Sequence, residues 1–130
     1  MKNVLVIEDD RYLLNFYEYL WEKMKSSVKL NIVESGILGL EKLADQSFDL
    51  VLLDLKMSEM DGFEVLQRMV ERGHLKENKV VVVSNLDSEE DREKALALGA
   101  SDYYVKADLS NTSLQALIEG RPMEKNPDVN

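Results

Sequence analysis

Two unbroken apolar runs, Leu50-Val51-Leu52-Leu53 and Val80-Val81-Val82-Val83, stand out in a chain that otherwise alternates strand-like stretches with segments of helical period. Runs without a polar alternation suit central strands of a parallel sheet, because helices cover both of their faces. Three further strand patterns bring the expected number to five, over roughly residues 3–8, 28–33, 49–53, 79–83 and 102–105. Val28-Lys29-Leu30-Asn31-Ile32-Val33 does alternate, which marks it as an edge strand.

Capping residues mark where the intervening helices start. Asp10 precedes a stripe of Leu13, Phe16, Tyr17, Leu20 and Met24, and Ser35, Asp61 and Ser88 are placed to cap the next three helices. Gly73 and Gly99 suit helix ends, where a left-handed residue stops the hydrogen-bond ladder. A short fifth helix over residues 110–119 closes at Gly120 and Pro122. The expected fold is α/β: a flavodoxin-like, doubly wound, five-stranded parallel sheet in the order 2-1-3-4-5 with five helices. Residues 1–120 are expected to form one domain, with residues 121–130 a flexible tail or linker stub.

In that order the first and third strands flank the point where the winding reverses, which is where ligands bind in open sheets. Carboxylates lie at both strand ends: Glu8-Asp9-Asp10 follows the first, and Asp54 follows the third. Like charges this close repel, and a bound cation is the simplest way to hold them ionised. A small site with oxygen donors only suits Mg²⁺, which keeps several waters and works beside phosphate. Glu8, Asp9 and Asp54 are therefore candidate metal ligands.

Composition narrows the alternatives. The chain of 130 residues contains no cysteine, which removes thiolate, zinc-thiolate and disulfide chemistry together. Its net charge of −9, with the basic residues dispersed, argues against nucleic-acid binding. No apolar stretch reaches membrane-spanning length, and the start, Met1-Lys2-Asn3-Val4, lacks a signal-peptide layout, so no membrane association and a cytoplasmic location are expected.

Four strings in order resemble the receiver domain of bacterial response regulators from Val4 to about Ile118: Leu5-Val6-Ile7-Glu8-Asp9-Asp10, Asp54-Leu55-Lys56-Met57 with Met60-Asp61-Gly62, Val83-Ser84-Asn85, and Gly99-Ala100-Ser101-Asp102-Tyr103-Tyr104-Val105-Lys106. The resemblance implies that Asp54 is the phosphoacceptor, that Asp9 is a direct Mg²⁺ ligand and that Glu8 acts through water. It also implies that Lys56 lends its backbone carbonyl to the metal. By the same resemblance Ser84 is the switch hydroxyl, Lys106 the phosphate-binding cation, and Tyr103 an aromatic that changes rotamer on activation. Such a domain takes its phosphoryl group from a histidine kinase or histidine phosphotransfer protein. With no output domain after residue 120, signalling is expected through surfaces, toward a protein partner on the face of the fourth and fifth helices.

Three positions depart from the family pattern. Proline commonly follows the lysine, in a cis bond; here Ala107 does, so a trans or rearranged turn is expected and the reach of Lys106 is open. A second common proline, four positions after the acceptor, is Ser58, which should leave that loop less restrained. Leu86 offers no polar group to orient an attacking water, so autodephosphorylation should be slow. The missing prolines leave one alternative, a pseudo-receiver that binds protein without turning over phosphate. A phosphatase with an aspartate nucleophile is disfavoured, because Lys56 stands where such enzymes place a second acid. Lys106 and Ser84 are expected at exposed strand ends. Asp61-Gly62 reads as a turn and helix cap, and the single histidine, His74, as a surface residue.

Overall fold

The structure is a computed structural model and describes residues 1–123. Five parallel strands, β1 (Lys2–Ile7), β2 (Val28–Val33), β3 (Leu50–Leu53), β4 (Val80–Ser84) and β5 (Asp102–Val105), form one sheet in the order β2-β1-β3-β4-β5. The helices between and after them are α1 (Arg11–Met24), α2 (Gly36–Asp45), α3 (Gly62–Glu71), α4 (Glu89–Ala97) and α5 (Asn111–Glu119). The alternating run is indeed the edge strand β2, with Lys29 turned to solvent.

Successive strand residues point to opposite faces, and this two-residue period sorts the core into two layers. Leu5, Ile7, Val51, Leu53, Val80 and Val82 pack with α2, α3 and Ala95 of α4, whereas Val4, Val6, Leu50, Leu52, Val81 and Val83 pack with α1 and α5. Covering both faces is what made the central runs wholly apolar. The expected stripe on α1 holds at Tyr17, Leu20 and Met24 and is widened at its start by Leu14. Leu14, Tyr17, Leu20 and Met24 are buried, while Leu13 and Phe16 pack only at its rim.

The capping residues act as their chemistry suggests. Asp10, Ser35, Asp61, Ser88 and Ser110 each accept a hydrogen bond from the first turn of the helix they precede. Strand boundaries differ slightly from expectation. β1 and β3 end at Ile7 and Leu53, so Glu8 and Asp54 are the first residues beyond the strands, and β4 extends to include Ser84. At the start of β3, Asp49 lies outside the strand and its carboxylate accepts from Asn3 N at 2.7 Å.

Gly62 brings α3 hard against the end of β3. Its N–H donates to Leu55 O at 2.8 Å, and a Cβ there would run into the Asp54 carbonyl oxygen. Asp61 and Gly62 are thus the cap and the close-approach residue that fix where β3 ends. Of the tail expected at 121–130, residues 124–130 lie outside the described residues. Arg121 is still tied to the domain, with its N–H on Ala116 O at 2.8 Å. No helix among the described residues is long and apolar enough to cross a membrane.

Candidate functional site

The backbone delivers the acids to one place before any side chain is considered. Asp54 N donates to Ile7 O at 3.1 Å, so the ends of β1 and β3 stay in register and Glu8 and Asp54 emerge side by side. Carboxylate oxygens of Glu8, Asp9 and Asp54 lie within 4.8 Å of one another. Glu8 and Asp54 are only 2% and 5% exposed, and Asp9 is half-buried.

Three carboxylates in so small a space need cations or protons. Among the described residues the cation is Lys106, whose ammonium lies 2.7 Å from Glu8 Oε1 and 3.2 Å from Asp54 Oδ2. Burial, and then the neighbouring Asp54 charge, push Glu8 up to about 7, against the pull of Lys106. Burial alone would lower the Lys106 ammonium, but its bond to Glu8 and the charge of Asp54 outweigh that and raise it. One lysine does not neutralise three acids. The donor set, all oxygen and short of positive charge, fits a hard divalent cation of the Mg²⁺ class.

Local hydrogen bonds hold each acid in place. Glu8 Oε2 accepts from Asp10 N at 3.1 Å, while the Asp10 carboxylate turns away to cap α1. Asp54 Oδ1 accepts from Lys56 N at 3.4 Å, and the Lys56 side chain points to solvent. Asp9 Oδ2 accepts from both the N–H and the hydroxyl of Ser58, at 3.0 and 3.3 Å. The loop expected to be loosened by the absence of proline at 58 is therefore tied to the acidic pocket. The signal was the missing proline itself, since only a non-proline residue keeps the N–H.

The Lys106–Ala107 turn resolves in favour of reach. No peptide bond among the described residues is cis, and Lys106–Asp108 forms a single 3₁₀ turn whose first side chain enters the pocket. The pseudo-receiver alternative rested on the two absent prolines, and Lys106 contacts both acids without one.

Ser84 and Lys106 are not the exposed strand-end residues expected. Ser84 is fully buried, because β5 pairs alongside it and extends β4 into the sheet, and the Lys106 side chain is 11% exposed. The Ser84 hydroxyl accepts from Leu86 N at 3.3 Å. Tyr103 points inward and Tyr104 lies on the opposite layer, as alternation requires. The Tyr103 hydroxyl donates to Leu86 O at 2.6 Å, so the β4–α4 loop is held from Ser84 and from β5 together. Arg92 of α4 sits over the Tyr103 ring, 5.9 Å from its centroid, and donates to Tyr103 O at 3.3 Å. Burial, and then Asp91, raise the Tyr103 phenol, with Arg92 opposing.

The acidic pocket, the inserted lysine and the sheet order agree with a single family. A model of the response regulator receiver domain matches residues 4–119. The chain belongs to that family. This receiver is 31% identical over 106 residues to the heme response regulator HssR of Staphylococcus epidermidis, covering 82% of this chain and 45% of that protein. It thus spans about half the length of such curated relatives. Among solved structures, the CheY-like receiver domain protein from Methanospirillum hungatei JF-1 is 25% identical with a TM-score of 0.78, over 92% of each chain. The Mn²⁺-bound form of the response regulator Rcp1 is 26% identical with a TM-score of 0.72, over 92% of this receiver and 91% of that chain. The family is a signalling phosphoacceptor fold, and the pocket of Glu8, Asp9 and Asp54 suits the Mg²⁺ that receivers bind.

Proposed function

We propose that residues 1–120 form a receiver that accepts a phosphoryl group on Asp54 and signals through its own surface. The observation that carries this reading is the placement of Asp54: one carboxylate oxygen faces the Lys106 ammonium inside a pocket shared with Glu8 and Asp9.

Phosphoryl transfer asks little of a protein beyond position and charge. An Asp54 oxygen attacks phosphorus, the bond to the donor nitrogen breaks, and its electron pair leaves with the imidazole of a histidine kinase or phosphotransfer protein. Glu8, Asp9, Asp54 and the Lys56 backbone carbonyl are the groups that would hold Mg²⁺. When bound, that ion supplies positive charge against the phosphoryl oxygens, a role supported by the Mn²⁺-bound form of the similar Rcp1. Lys106 turns from Glu8 and Asp54 toward the new phosphoryl oxygens, and Ser84 gives up Leu86 N to donate to another.

Those movements release the β4–α4 loop from one of its two anchors. Tyr103, bonded to Leu86 O and stacked on Arg92, carries the change to the α4 and α5 face, where a protein partner docks. Autodephosphorylation is slow, since the Leu86 side chain packs on the core and offers no hydrogen bond to water. Incubation of the full chain with acetyl phosphate tests the reading: intact mass should rise by one phosphoryl group with Mg²⁺ and stay unchanged with EDTA.

A further inference from the structure

Ser58 touches the acidic pocket through two donors that belong to one residue. Its N–H lies 3.0 Å and its hydroxyl 3.3 Å from the same atom, Asp9 Oδ2, across 49 residues of sequence. A carboxylate has two oxygens with lone pairs on each. Because both donors fall on Oδ2, Oδ1 stays open to a cation, and the side chain cannot rotate without breaking two bonds. The next residue, Glu59, has a φ of 65°, the only non-glycine residue among those described in the left-handed region. That conformation is disfavoured locally and persists only where surrounding contacts hold it. The pair of bonds to Asp9 is one such contact, joining the loop before α3 to the residue just past β1.

We infer that Ser58 is a positioning residue of the metal site, which sets the affinity of the pocket for a divalent cation by fixing the Asp9 carboxylate. The inference rests on the reading of Glu8, Asp9 and Asp54 as a Mg²⁺ site. Groups that hydrogen-bond a ligand carboxylate orient it, and removing them weakens metal binding about 10- to 100-fold. A hydroxyl and an N–H can be removed separately here. Ser58→Ala deletes only the hydroxyl, and Ser58→Pro deletes both donors.

Calorimetric titration of the metal-free full chain with Mg²⁺ provides the test, with melts in EDTA alongside. Ser58→Pro should bind about 10-fold more weakly than wild type, and Ser58→Ala should fall between them. The melting temperature of Ser58→Ala in EDTA should stay near wild type, because the residue is exposed. A merely structural role would move the melt and leave the affinity. Equal or tighter binding by both variants overturns the inference, tighter binding meaning that the two donors compete with the cation. If Ser58→Pro does not melt cooperatively, an unchanged affinity in Ser58→Ala is enough to overturn it. Failure of the wild type to bind Mg²⁺ would instead bring down the metal reading, and this inference with it.

Discussion

Lys106 Nζ lies 2.7 Å from Glu8 Oε1, closer than its 3.2 Å approach to Asp54. The lysine thus holds the pocket's least comfortable acid, and both partners are nearly removed from solvent. The contact links the end of β5 to the end of β1 and, with the raised pKa of Glu8, offsets part of the repulsion among the three acids.

Metal-free stability should therefore depend on pH through Glu8. Its folded pKa of about 7 lies above the ordinary 4.5, so the native state holds a proton that the unfolded chain has lost. Stability then falls as pH rises between about 4.5 and about 7, by up to roughly 3 kcal/mol. Glu8→Gln should flatten that segment in urea denaturation measured in EDTA. An identical slope in the variant would assign the effect to other groups.

Mg²⁺ should stabilise the fold, since only the native state brings Glu8, Asp9 and Asp54 together. At ten times its dissociation constant the gain is about 1.4 kcal/mol. Thermal melts with and without Mg²⁺ read it directly. Asp9→Ala should lose most of the shift, and a full shift in that variant would remove Asp9 from the site.

Ser84 and Tyr103 support the same loop, and their substitutions should show it. Ser84→Ala frees Leu86 N, and Tyr103→Phe frees Leu86 O. Each should cost about 1 kcal/mol in chemical denaturation, the size of one hydrogen bond. Both should also blunt the amide NMR shifts that a beryllofluoride phosphoryl mimic produces around Leu86 and α4. Wild-type shifts in both variants would take the switch elsewhere.

The fold was legible in the sequence because its signals are strong and local. Apolar runs such as Leu50-Val51-Leu52-Leu53 place central strands, and caps such as Asp61 and Ser88 place helix starts. The carboxylate cluster was equally legible, since strand order alone brings Glu8 beside Asp54. What local pattern could not convey was depth and partnership. Ser84 reads as a strand-end hydroxyl, yet pairing by β5 buries it. Ser58 reads as a loosened loop, yet its N–H finds an acid 49 residues away. The α1 stripe holds at Tyr17, Leu20 and Met24, but Leu14 is buried more fully than Leu13, because docking on the sheet decides which of two adjacent leucines faces inward.

Site-specific uptake of phosphate decides whether Asp54 is the acceptor. Wild type and Asp54→Asn are each incubated with Mg²⁺ and acetyl phosphate, and intact masses are compared after an identical interval. The wild type should gain one phosphoryl group and Asp54→Asn none, while the melt of the variant shows that the fold survives. A phosphoryl gain in Asp54→Asn equal to that of the wild type would place the acceptor outside the pocket built by Glu8, Asp9 and Lys106 and rule Asp54 out.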